Sequence, residues 1–318
     1  MRFYVYEHQH KAKPYVDALM HAGYRVKHRI AEGIGFVMID HEWDGLFAGY
    51  IPTKFRSQIA ECEQLGIPVF VYPHSVRPNI PFDLTREFHP NIRALFTIAE
   101  GHKVVLKKLG YPNPIEVVGW PYTEICSFRC NSSIEKVRVL FAPLHPVGGS
   151  FLPDIDRELN VKTYKLLLGL LDRIDLTVRH IGSLKYNNIE PDQRVKFIAG
   201  QMDGSTDDMD NADVVIGAYT YAYMAVALGH PLVMLGEGVR PHNSPRSGGQ
   251  LLWAKNWEKY RDYMAYPFNV EDCQTSEDLY DMLKLAMGGD QGIDNWKQRF
   301  IGEPFNGQSF VKTLESYL

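Results

Sequence analysis

The sequence predicts an α/β protein with parallel sheets, and three observations predict it. Short apolar runs rich in β-branched and aromatic residues recur along the whole chain. Helical patterns separate them, so successive strands are joined by crossovers rather than hairpins. Runs such as "ADVVI" (Ala212 to Ile216) are apolar on both faces, the pattern of strands covered above and below.

Taken in order, the first part of the chain offers strands at "RFYVYE", "YRVKHRI", "GFVMID", "PVFVYP", "ALFTIA" and "IEVVG". Helices fit near 11–22, 54–65 and 100–109, and the last two stop at "LGIP" and "LGYP", where Gly and then Pro end a helix. Residues 121–136 have no strand period and suit a connection between domains. A second series begins at "VRVLFAPLHP" and continues through a helix near 161–173, "DLTVRHIG", "RVKFIAG", "ADVVIGA" and "PLVML". Helices near 247–264 and 275–287 follow, and Trp296 and Phe300 anchor the end of the chain. No repeat and no low-complexity tract is present.

A length of 318 residues suits two such domains. They are placed at 1–125 and 126–290, with 291–318 packing back across their junction. The composition, 45% hydrophobic and 23% charged, is that of an ordinary globular protein. No apolar run reaches the roughly 18 residues of a membrane helix. The start, "MRFYVYEHQH", has no signal-peptide core, and a cytoplasmic location is expected. Cys62, Cys126, Cys130 and Cys273 make no CxxC pair, which argues against a zinc or disulfide framework. The net charge of −4 is uneven. Residues 1–125 carry 14 basic and 13 acidic side chains, and residues 126–318 carry 20 and 25. Neither part is basic enough to require a nucleic-acid partner.

Ligands of open parallel sheets bind beyond the carboxyl ends of the strands, so the polar residues just after strands carry the functional reading. Two such domains facing each other would enclose a central cleft. The first domain places Glu7, His8, Asp40, His41, His74 and Ser75 at strand ends. An acid or histidine there suits a general base for an acceptor hydroxyl. The second places His145, Arg179, His180, Tyr219, Thr220 and Glu237 there, followed by a loop with Arg240, His242 and Arg246. Cations beside helix N-termini suit a diphosphate. The stretch "GAYTYAYMAVALGHP" (Gly217 to Pro231) carries such an N-terminus, because it joins a buried strand to a helix and then to the strand "PLVML".

Each of these residues also has a plainer reading. Thr220 suits a simple N-cap. Tyr219, Tyr221 and Tyr223 cannot share one helix face, so at least one of them fills the core. Arg179 and His180 alternate across a strand, and only one can face a ligand. "HQH" lacks a third metal ligand, and the acids of "DID" (154–156) and "DDMD" (207–210) favour helix starts. No metal site is expected.

The pieces "YPHS" (72–75), "VVGWP" (117–121), "VLFAPLHP" (139–146), "LTVRHIGSL" (176–184) and "ADVVIGAYTYAYMAVALGHPLVMLGE" (212–237) resemble the two-domain GT-B transferases. The likeness is to their CDP-glycerol glycerophosphotransferase and UDP-N-acetylglucosamine 2-epimerase members. The resemblance implies two Rossmann-like doubly wound domains, with a nucleotide-activated donor on the second and an acceptor on the first. In those families two small hydroxyl residues open the helix and touch donor phosphate; Tyr219 and Thr220 stand there. A later acid holds the ribose; Met224 stands there, and Glu237 is the candidate replacement.

The resulting expectation is a metal-independent glycosyltransferase that moves a sugar from a nucleoside diphosphate to an acceptor hydroxyl. The nucleotide sugar is its co-substrate, and no other cofactor is expected. Asp40 and His74 are the candidate catalytic groups. His145, Arg179, His180, Tyr219, Thr220, Glu237, Arg240 and Arg246 would bind donor, and His8 and His41 acceptor. The acceptor is a glycan, a small molecule or a hydroxylated DNA base as in phage enzymes. The other readings are a CDP-glycerol-type phosphotransferase, a nucleotide-sugar epimerase and an inactive binding module.

Overall fold

A computed structural model describes residues 1–6, 9–29, 45–48, 56–72, 91–108, 110–129, 136–144, 153–180, 189–200, 206–236 and 261–318. The chain divides into two compact units, residues 1–122 with 298–318, and residues 123–297. The sequence reading drew its boundaries at 125/126 and 290/291.

The first unit is a six-stranded parallel sheet in the order β2-β1-β3-β4-β5-β6. Its strands are β1 (Arg2–Tyr6), β2 (Arg25–Arg29), β3 (Gly45–Ala48), β4 (Val69–Val71), β5 (Ile92–Thr97) and β6 (Ile115–Val117). Helices α1 (Gln9–His21), α2 (Arg56–Gln64) and α3 (Glu100–Lys108) lie in the crossovers, as the apolar spacing predicts. β3 is absent from the predicted strands. Four residues are too few to show a period, and Gly45 is there because a Cβ would meet the Phe3 ring at 2.7 Å. The predicted strand "GFVMID" lies outside the described residues.

The core of this unit joins Phe3, Phe70 and Phe96 from the strands to Tyr15 from α1. The last helix of the chain, α9 (Gly307–Glu315), completes it. Its Phe310, Val311 and Leu314 share one face, and the Phe310 ring meets Tyr15 at 5.4 Å and Phe96 at 5.3 Å, both edge-on. Asn306 caps the helix by accepting the Ser309 N–H at 2.9 Å.

His102 of α3 is wholly buried in this unit, packed near the Phe300 ring. Burial disfavours the imidazolium and pushes its pKa down from 6.5 to about 3. The unfolded chain therefore takes up this proton first, and stability falls as pH drops from about 6.5 toward about 3. His102→Leu is expected to flatten this fall. Urea midpoints at about pH 7 and about pH 4.5 check it, and an unchanged difference would place the acid sensitivity elsewhere.

The second unit is a five-stranded parallel sheet in the order β11-β10-β7-β8-β9. Its strands are β7 (Val137–Phe141), β8 (Ile174–His180), β9 (Lys196–Ala199), β10 (Val214–Gly217) and β11 (Leu232–Met234). The order reverses between β7 and β10, which makes their carboxyl ends the switch point of the sheet. The helices are α4 (Pro153–Leu168), α5 (Tyr219–Ala227), α6 (Arg261–Met264), α7 (Ser276–Gly288) and most of α8 (Gln291–Phe300), whose last three residues belong to the first unit. α4 starts earlier than the predicted 161–173 and ends sooner. Pro153 suits a first helical position, and Gly169 closes the last turn. Only Arg261–Met264 of the helix expected near 247–264 falls within the described residues. α7 is capped reciprocally by Thr275 and Asp278. Cys62 and Cys273 are buried free thiols, raised to about 12 and about 11 by burial.

The turn after α5 runs through Gly229, whose φ is +80°. A Cβ there would lie 2.0 Å from the Ser127 carbonyl oxygen. Gly229→Ala is expected to cost about 2–4 kcal/mol, left-handed strain plus overpacking. Gly110→Ala is the control, because its φ of +83° is similar and nothing lies within 4 Å of its Cβ position. Equal losses in urea unfolding would mean that the Ser127 contact is irrelevant.

Candidate functional site

The candidate site is built on the carboxyl edge of the second sheet, where β10 runs into α5. Val214, Val215 and Ile216 are fully buried, so the strand is covered on both faces. Ala218 is the N-cap, with extended φ −131° and ψ 168° and no capping side-chain bond. The Ala222 N–H to Ala218 carbonyl bond, 3.3 Å, is the first of the helix. A helix starts with N–H groups that no intrahelical carbonyl can take, and alanine has no oxygen to offer them. Their dipoles point past the end of the strand. Thr220 is half-buried at the second helical position. It is therefore not the N-cap that the plainer reading of the sequence allows.

The rest of α5 is apolar and buried, from Ala222 to Ala227. Tyr223 is the tyrosine that fills the core, with its ring 4.8 Å from that of Trp296. Met224 is buried as well, so the position that carries an acid in the resembled families holds a core side chain here. A helix apolar on every side belongs inside a protein, which leaves only its first turn to meet a ligand.

Arg179 and His180 end β8, and alternation sends them to different surroundings. His180 is half-buried, and its carbonyl accepts the Gly200 N–H at 2.7 Å. Arg179 is buried. Its Nε donates to Asp208 Oδ2 at 3.0 Å, and its guanidinium carbon lies 4.4 Å from the centre of the Tyr221 ring. The Tyr221 hydroxyl is shielded from water without a hydrogen-bond partner, and burial raises its pKa. Asp208 sits on the short 3-10 helix Asp207–Asn211, so the "DDMD" acids do lie at a helix start. Asp210 of the same turn pairs with Arg129 at 3.2 Å.

Two further buried polar groups fix the sheet, one at its carboxyl edge and one at its amino edge, and the sequence reading singled out neither. Asn160 of α4 is fully buried. It accepts the Leu144 N–H and donates to the Leu144 carbonyl, both at 2.8 Å, and so sets the course of the chain after β7. Asp213 accepts the Arg138 N–H at 2.8 Å and its Nε at 3.0 Å, tying the start of β10 to β7. A lone Asn inside the helical "ELNVKTYK" was the only signal of the first. Asp213 in "ADVVI" was visible only as a charge at the edge of an apolar run. Asp213→Ala is expected to cost about 1–3 kcal/mol, less than a fully buried pair because the Arg138 side chain is 54% exposed. A change below about 0.5 kcal/mol in urea unfolding would contradict this role.

Asp40, His74, His145, Glu237, Arg240, Arg246, His8 and His41 lie outside the described residues. Of the predicted donor residues, the structure places Tyr219 and Thr220 in the first turn of α5, and Arg179 and His180 at the end of β8, with Arg179 reaching that turn through Tyr221. Among the described residues, no group of three His, Cys, Asp or Glu side chains could hold a metal ion, and no helix is long and apolar enough to cross a membrane.

Two Rossmann-like parallel α/β units of this kind make the GT-B fold, and solved structures of that fold match the chain over nearly its whole length. The UDP-GlcNAc 2-epimerase from Methanocaldococcus jannaschii superposes with a TM-score of 0.60 at 12% identity, covering 99% of this chain and 100% of that one. A co-structure of S. aureus MnaA with UDP matches with a TM-score of 0.58 at 10% identity, covering 99% and 96%. The spinosyn rhamnosyltransferase SpnG, in complex with spinosyn aglycone, matches with a TM-score of 0.54 at 14% identity, covering 99% and 100%. No protein-family model matches the chain, and no curated protein matches it by sequence.

Proposed function

We propose that the protein is a nucleotide-sugar enzyme, and specifically a glycosyltransferase that moves a sugar from a nucleoside diphosphate to an acceptor hydroxyl. The observation that carries this reading is the first turn of α5, which opens without a capping side chain at the carboxyl edge beside the sheet's switch point. Similar folds support it: one is a rhamnosyltransferase, and another was solved with UDP-GlcNAc and UDP.

In this reading the diphosphate lies against the Tyr219–Thr220 turn, with His180 near it. His145, Glu237, Arg240 and Arg246 are assigned to the donor, and His8 and His41 to the acceptor. The acceptor oxygen bonds to the anomeric carbon as the bond from that carbon to the diphosphate oxygen breaks. The hydroxyl proton passes to a base, assigned to Asp40 with His74 orienting. The leaving diphosphate keeps the bonding electron pair, and its growing charge is met by the helix dipole and N–H groups. No metal takes part in this scheme.

An epimerase is the second reading, favoured by the match to the UDP-GlcNAc 2-epimerase. The buried Met224 weighs against a ribose contact of the kind that the resembled families make.

Thermal melting with UDP, TDP and CDP tests the donor reading. At a concentration of about 100 Kd the right nucleotide should stabilise by about 2.7 kcal/mol. Thr220→Val should weaken its binding about 3–10-fold, the loss of one hydrogen bond. If none of the three raises Tm, the donor is not a sugar carried on UDP, TDP or CDP. Incubation with UDP-GlcNAc alone separates the two enzymes, because inversion at C2 seen by NMR without acceptor identifies an epimerase.

A further inference from the structure

We propose that Arg179 is a positioning residue, which holds the first turn of α5 through Tyr221 and does not itself bind the donor diphosphate. The affinity part of the proposal rests on the donor reading above; the structural part does not.

Four segments meet at this guanidinium. Arg179 comes from the end of β8, Asp208 from the 3-10 helix before β10, and Tyr221 from the first turn of α5. Gly200, just after β9, closes the fourth side. A Cβ there would lie 2.5 Å from Arg179 Cζ, 2.7 Å from one terminal nitrogen and 2.8 Å from Nε. The flat group therefore fits between an aromatic ring and a glycine backbone, with its Nε bonded to Asp208. Only 3% of the Arg179 side chain is exposed.

A ligand that must arrive from water cannot use a group so enclosed without moving it. A buried cation is costly unless paired, so Asp208 and the Tyr221 ring hold it in place. The reverse also follows. Tyr221 is the third residue of α5, in the turn whose N–H groups point past the strand. Its ring is fixed by the guanidinium, and its hydroxyl makes no hydrogen bond that would fix it otherwise. Losing the guanidinium should loosen that turn and blur the direction of its dipoles. The positive charge lies near a helix N-terminus, so it also favours an anion there without contact.

Gly200→Ala tests this without touching any charge. The clashing atoms are the far end of a flexible side chain, so the guanidinium is displaced while the fold survives. Hydrogen exchange of the Ala222 amide is measured in ligand-free protein, and UDP affinity by calorimetry, for Gly200→Ala, Arg179→Gln, Tyr221→Leu and the Gly200→Ala/Arg179→Gln pair. Exchange should rise in all variants, with the gain confined to the first turn of α5. UDP binding should weaken about tenfold in each single variant, the size of a helix-terminus effect in a partly buried site. The pair should lose no more than either alone. Unchanged Ala222 exchange in Arg179→Gln with lost UDP binding would make Arg179 a direct ligand and overturn the proposal. So would wild-type affinity in Tyr221→Leu, or additive losses in the pair. If wild-type protein binds no UDP, the donor reading is in question for that nucleotide, and the exchange measurement alone decides the role of Arg179.

Discussion

The rest of the second unit depends on the burial of α5. Its residues from Ala222 to Ala227 are apolar, and none of them can be left in water cheaply. The helix must therefore be packed on every side. Its interior is then fixed by neighbours such as Trp296, and its one polar end is brought to the carboxyl edge of the sheet. Gly229 serves the same end, since the chain leaving the helix passes so close to Ser127 that no side chain fits.

Such a helix presents uncapped N–H groups at one end but has nothing of its own to hold it in register. Buried polar groups of the same unit do that. Asp213 ties β10 to β7 through Arg138. Asn160 clips the chain after β7. Arg179 joins β8, Asp208 and Tyr221. Each is nearly or fully enclosed, and each is bonded, as a buried polar group must be. Asn160 and Arg179 lie at the carboxyl edge, where ligands of such sheets bind, and Asp213 at the amino edge.

Much of the fold was legible in the sequence because parallel strands covered on both faces write a continuous apolar run. "ADVVI", "PLVML" and "PVFVYP" all become strands of the two sheets. β3 was not legible, since "GLFA" is too short to show a pattern, and its glycine answers to Phe3 on another strand. The bounds of α4 were misread because its first turn is polar and carries a proline, which is normal at a helix start and looks like a break. Tyr219 and Thr220 were singled out by their place after a strand, and they do open α5. Asn160, Asp208 and Asp213 were not found as partners, because nothing local tells a buried polar group from an exposed one.

By itself, then, the sequence determined the alternation of strands and helices, the two α/β units and the position of the helix start after β10. These follow from local periodicity and from turn chemistry, which neighbouring residues carry between them. Only the tertiary structure decided that Arg179 faces Asp208 and Tyr221, that Tyr223 is core, and that Thr220 is not a cap. Those outcomes depend on contacts between segments far apart in the chain. Alternation along a strand states that two residues face opposite ways, but only packing selects which of them is buried.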